Sequence, residues 1–497
     1  MPALTLKEQL TRAIETPARD DAFDLHTTLD ELLASVGLSS ADSGGTITFR
    51  GADPVVPSTL RLAGAASLAI VAKSVAAAKL WQLRGGDGQD ITMDLRAAPH
   101  RLCPMYDRKW ELINGYPPAA PAAVGDGFRM TFHRTADERW MMAASTYPKL
   151  SAAAERLLQV PDEKAAVTRA IARWKSFDLE QAAEEAGVVL ATVLSTAEIL
   201  REPQFTQVLA ELPLIEISRI GDSAPEAFTP GPEAPLSGVR ALGMGHVIAG
   251  AGAGRALALH GADVLNLWRP TEFEHDSIYY SANVGMRSAT IDPFTDAGRR
   301  LISRLLADAD VFFANRRPGY LDRIGLSAEA AAELRPGIVH ATVSLHGERG
   351  PWAKRMGFDQ IAGAVTGMML LEGDGEQPAL SPIYVVNDYI VAWLLATGIM
   401  EALMRRADNG GSYRVHVSLT RVALWVLSLG VFDRRYAHAI SGSPGEHAYL
   451  DPETFVAQTP LGDYRGVTDQ VHMSVTPGRY NTVLVPRGSG RPQWLGR

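Results

Sequence analysis

Along the second half of the chain, short apolar runs alternate with amphipathic stretches. GVRALGM, beginning at Gly238, reads as a strand. HVIAGAGAGRALALHGADVLNLWRP, His246 to Pro270, then reads as a turn, a helix of small residues, a glycine stop and a second strand. DAGRRLISRLLADADVFFANRRPG places apolar residues at helical spacing and runs into a strand, VFFAN. PGIVHATVS supplies another strand. Alternation of this kind predicts an α/β fold with a doubly wound parallel sheet. The apolar run from Tyr389 to Met400 is shorter than the ~20 residues that cross a bilayer, and is predicted to be a buried helix.

The first half carries a faint echo of the second. GAASLAIVAKSVAAAKLWQLRGGDGQDITMDL, Gly64 to Leu95, aligns without a gap with DYIVAWLLATGIMEALMRRADNGGSYRVHVSL, Asp388 to Leu419. Each reads as an apolar helix, a basic and glycine-rich turn and an alternating strand. Asp388 opens the second copy where Gly64 stands in the first. Between the halves lies GDSAPEAFTPGPEAPLSG, Gly221 to Gly238, whose four prolines oppose helix and central strand alike. The predicted organisation is therefore 1–220, a linker over 221–238, and 239–497.

Composition narrows the partners. The 497 residues are 46% hydrophobic and 21% charged, with a formal net charge of -8. An acidic chain does not read as a general nucleic-acid binder, so a phosphate ligand needs a local basic patch. The single cysteine, Cys103, excludes an internal disulfide and suits a reducing cytoplasm. The N-terminal segment has no signal-type apolar core and nothing predicts a membrane partner.

A dinucleotide turn needs G-x-G-x-x-G, but Gly250, Gly252 and Gly254 are spaced G-x-G-x-G, with Arg255 where the third glycine belongs. The following strand ends in Trp268 and Arg269, without the carboxylate that takes a ribose hydroxyl. That ending suits an adenine face and a phosphate better than NAD. The glycines also fit a second reading, tight helix–sheet packing.

Five ordered blocks then resemble the class III CoA-transferases, the CaiB/BaiF and formyl-CoA transferase group. They are PLSGVRALGMGHVIAGAGAGRALALHGADVLNLWRP, NVGMRSATID, ADVFFANRRPGYLDRIGLS, GERGPWAKRMGFDQIAGAVTGMM and the Asp388–Leu419 stretch. DERWMMAASTYPKLSAAAERL and LEQAAEEAGVVLATVLSTAEILREPQF resemble the family's smaller domain, and VTDQVHMSVTP its C-terminal tail. The order is unusual, because the segment like the small domain, about 128–205, lies upstream of the catalytic blocks. The resemblance implies a Rossmann-like large domain, a smaller α+β domain, and two complementary partial copies in one chain. It implies a homodimer, or a monomer that is an internal pseudo-dimer.

The implied reaction moves CoA from an acyl-CoA thioester to a carboxylic acid, with CoA as substrate and no permanently bound cofactor. Asp388 matches the family's nucleophile, which forms an acyl anhydride and then an aspartyl-CoA thioester. Its place at a helix start is expected to favour the anion and to offer backbone N–H groups to oxyanions. An ordinary N-cap aspartate is the plainer alternative. Asp359 in GFDQ matches a second acidic position. For CoA, the resemblance implies contacts from His246, Val247, Arg269, Asn315, Arg316, Arg323 and Arg355, with Arg317 adding charge. No metal site is implied.

Several positions depart from the family pattern. Met286 and Phe294 stand where lysines are usual, and a small-domain glycine run is not evident. Phe358 stands where the related acyl-CoA racemases have a proton-transferring histidine, which argues against that mechanism. A non-catalytic acyl-CoA binder and an NADP oxidoreductase are the remaining alternatives. No nucleophile elbow, zinc-protease or P-loop motif is present.

Overall fold

The computed structural model describes residues 4–119 and 125–496. Its centre is a seven-stranded sheet in the order Arg287–Thr290, Asp263–Trp268, Arg240–Met244, Val311–Ala314, Val339–Ser344, Ser412–Ser418 and Glu216–Gly221. All neighbours are parallel except the last pair. The strand Arg240–Met244 comes first in the chain among the parallel six. Its successors go to one side, and from Val311 onward to the other. The crevice above Met244 and Ala314 is therefore the topological switch point, where open α/β sheets bind ligands.

The helices covering this sheet are small-residue packers. Ala249–Leu259 is buried throughout and lies along the Asn387–Asn409 helix. A Cβ at Gly252 would stand 3.0 Å from that of Ala392 and 3.3 Å from the Tyr389 ring, so the glycine allows the close approach. Gly254 faces the Met286 sulfur and the Phe313 ring. The glycine run is thus the body of a buried helix and not a phosphate-cradling loop. Met286, in the place of a usual lysine, is 1% exposed and fills the core beside it.

The helix Leu62–Leu83 packs along Asn387–Asn409, and the strands Gly44–Arg50 and Gln89–Asp94 pair in parallel as Val339–Ser344 and Ser412–Ser418 do. Asp53 accepts hydrogen bonds from the N–H groups of Ala63 and Gly64, at 3.1 and 2.7 Å. Leu62–Leu83 is long and apolar enough to cross a membrane, but 94% of its apolar window is buried inside the protein.

The halves do not fold as separate bodies. Glu216–Gly221 completes the large sheet, and the tail strand Val471–Met473 pairs with Gln89–Asp94 of the first half. Lys73 and Arg101 meet the buried Asp469 of the tail at 2.5 and 3.2 Å. Despite its burial, Lys73 and Arg101 hold that carboxyl well below the usual range. Gly221, the first residue of the expected linker, ends the strand Glu216–Gly221, and only residues 222–238 run on without helix or strand. A smaller α+β unit comprises the antiparallel strands Arg129–Arg134, Trp140–Ala144 and Leu190–Thr192. Three helices cover it, Pro148–Leu158, Lys164–Ile171 and Ser176–Ala186, around its own apolar cluster.

Candidate active site

A cleft of about 1210 Å³ opens at the switch point. Its floor comes from residues following the central strands, including His246, Asn315 and Leu345. Its opposite wall comes from Tyr147, Lys149, Leu150 and Gly187 of the small unit. Asp388, His246, Val247, Arg269, Asn315, Arg316, Arg323 and Arg355 all line it. Of the candidate catalytic and CoA-binding residues, Asp359 alone is not on the lining.

Asp388 is the second residue of the Asn387–Asn409 helix and is 6% exposed. Its carboxyl has no hydrogen-bond partner among the described residues. The helix start was expected to serve it, and instead serves Asp359. Asp359 Oδ2 accepts the N–H groups of Val386 at 3.2 Å, of Asn387, and of Asp388 at 2.9 Å. Those donors are therefore not available to an oxyanion. Burial pushes the Asp359 carboxyl up to about 6 against these bonds. Burial, and then the charge of Asp359, push Asp388 well above its ordinary value. Both act against the anion of Asp388, where the helix start was expected to favour it.

The basic patch is built around one ring. The guanidinium carbons of Arg269, Arg316 and Arg323 lie 5.8, 5.5 and 6.0 Å from the centre of Tyr320. Glu272 pairs with Arg316 and lies 3.6 Å from Arg269. These three guanidiniums, with Arg317 beside Arg269, give planar donors suited to phosphate. Phe294, in the place of the second usual lysine, sets its edge on Tyr320 at 5.7 Å.

Three implied contacts are occupied by the protein itself. Asn315 stitches the two strand ends together: its Oδ1 accepts from His246 N at 2.8 Å and its Nδ2 donates to His246 O at 2.6 Å. Val247 has a φ of 57°, unusual for a β-branched residue, and donates its N–H to Glu274 at 2.9 Å. Arg355 lies 3.3 Å from both Glu180 and Glu184, and so ties the large sheet's loops to the small unit.

Tyr147, Phe273 and Glu274 escaped sequence reasoning. Tyr147 precedes Pro148 at the start of a helix, which marks a boundary but not a role. Its ring stacks on Phe358 at 5.5 Å and 14°, so the position that argued against a racemase forms an aromatic wall.

Comparison with known proteins follows the same region. Residues 236–478 match the model of CoA-transferase family III. The acetyl-coenzyme A transferase nodX of Hypoxylon pulicicidum is 29% identical over 48% of this chain and 39% of its own length. The succinyl-CoA–L-malate CoA-transferase alpha subunit of Chloroflexus aurantiacus is 32% identical over 39% of this chain and 48% of its own. The formyl-CoA:oxalate CoA-transferase of Streptomyces avermitilis is 30% identical over 41% of this chain and 52% of its own. The chain spans about half the length of these curated relatives, or less.

Proposed function

We propose, from the premise that residues 236–478 carry the CoA-transferase family III unit, that the chain transfers CoA from an acyl-CoA to a carboxylic acid. The observation that carries this reading is the placement of Asp388. A buried carboxyl with no partner of its own faces the cleft that also holds three arginines around Tyr320. The arginines would take the phosphates of CoA, and the pantetheine would run along the cleft toward Asp388.

The chemistry then balances without an outside reagent. Ionised Asp388 attacks the thioester carbonyl, the carbon–sulfur bond breaks and CoA thiolate leaves, giving an acyl aspartyl anhydride. The thiolate attacks the Asp388 carboxyl carbon and releases the first acid, leaving an aspartyl-CoA thioester. The acceptor carboxylate attacks that thioester, and the thiolate attacks the acceptor carbonyl of the new anhydride, regenerating Asp388. Loss of the resting proton from Asp388 precedes attack, so the rate rises with pH through its elevated value.

Tyr147, Phe358 and Leu345 share the lining with Asp388 and give this end of the cleft an apolar surface. We read the first half as a partial copy that lends the small unit and keeps the helix-capping Asp53 but has Gly64 in place of the nucleophile. One chain would then assemble one site from its own two halves.

Incubation with a panel of acyl-CoAs and free acids, followed by mass spectrometry of the Asp388 peptide, tests the reading. Native protein will carry an acyl or CoA adduct there and move CoA to one or more of the acids. Asp388→Asn will do neither. Transfer that survives in Asp388→Asn sinks the proposal.

A further inference from the structure

A hydrogen bond joins the two walls of the cleft, in addition to the ion pairs of Arg355. The hydroxyl of Tyr147, from the small unit, donates to Glu274 Oε1 at 2.6 Å. Glu274 is 5% exposed and fixed by its own neighbours. Its Oε1 accepts from His275 N at 3.0 Å, its Oε2 accepts from Val247 N at 2.9 Å, and His246 Nε2 stands 3.4 Å away. The carboxylate is thus anchored to the turn that forms the cleft floor.

The Tyr147 ring continues the cover. It stacks on Phe358, meets His275 and Phe273 edge-on at 4.9 and 6.0 Å, and lies 5.7 Å from His246. Phe358 is followed in sequence by Asp359, whose carboxylate accepts the Asp388 N–H. Burial, then Glu274, then Asp388 keep the Tyr147 hydroxyl neutral, so it remains a donor across the pH range of the reaction.

A thioester and an anhydride on Asp388 are both open to water, which would attack the carbonyl, release the acid and free CoA in place of transfer. Tyr147, Lys149 and Leu150 of the small unit line the same cleft as Asp388, and the turn that carries them is tied to the floor through this hydroxyl. We propose that Tyr147 is a positioning residue: clasped by Glu274, it holds the small unit closed over Asp388 and keeps water from the acylated carboxyl. The inference rests on the transfer reaction for its catalytic meaning, but the closure itself does not require it.

Two measurements separate these levels. In the first, the full-length protein is treated with a water-soluble carbodiimide and glycine ethyl ester, and labelling of the Asp388 peptide is timed without acyl-CoA. In the second, release of free CoA is compared with transfer of CoA to an acid. A hydrogen bond to a buried charge shifts an opening equilibrium by roughly 10-fold or more. Tyr147→Phe and Glu274→Gln will each raise labelling by about that factor and raise hydrolysis relative to transfer. Their combination will raise both no further than the larger single effect, since both break one bond.

Tyr147→Phe removes one oxygen and keeps the stacking, so it decides the matter if Glu274→Gln fails to fold. Native labelling and native partition in Tyr147→Phe overturn the clasp. Faster labelling in a protein whose native form transfers no CoA would uphold the closure and refute the transferase reading.

Discussion

Asp359→Asn tests the division of labour between the two carboxyls. Asp359 accepts three backbone N–H groups at the head of the Asn387–Asn409 helix, and is 2% exposed. Asparagine keeps the shape and a carbonyl acceptor but never ionises. Burial raises the native carboxyl from 3.8 to about 6. A displacement of about two pH units corresponds to roughly 3 kcal/mol. The folded state holds this proton more tightly than the unfolded chain does. Stability is therefore complete below about 3.8 and is lost as pH rises through about 6. The asparagine variant lacks that loss. Its unfolding free energy relative to the native protein will move in its favour by roughly 3 kcal/mol from about pH 4 to about pH 8. Urea denaturation at the two pH values measures this. The same substitution removes the charge that helps to raise Asp388, so the acid limb of adduct formation will shift to lower pH. A stability difference that ignores pH, or an acid limb that moves upward, refutes the assignment of the resting charge to Asp359.

Arg323→Ala removes an exposed guanidinium from the ring of arginines around Tyr320; CoA binding, followed by calorimetry, will weaken roughly tenfold at low salt and by less at high salt. Gly252→Val places two methyl groups where a Cβ already stands 3.0 Å from Ala392. It will destabilise the fold by about 1–3 kcal/mol through overpacking, seen as a lower melting temperature. A neutral result there would mean that the two helices separate freely.

Much of the framework was legible from residue order. Apolar periodicity marked the strands at Arg240–Met244, Asp263–Trp268, Val311–Ala314 and Val339–Ser344, because a strand buried on both faces must be apolar along its length. The same local logic gave the buried helix after Asp388. Motif resemblance brought eight cleft-lining residues into one set before any geometry was known.

What the chain order could not state is which polar atom answers which. The helix start looked like a gift to Asp388 but belongs to Asp359, a residue 29 positions earlier. Asn315 and Val247 present polar groups that their own neighbours take up, and the glycines of Ala249–Leu259 face side chains from distant segments. Tyr147 meets Glu274 across 127 residues. Local propensity and periodicity record what a residue prefers, whereas hydrogen-bond partners and charge in a buried site depend on segments that only the folded chain brings within reach.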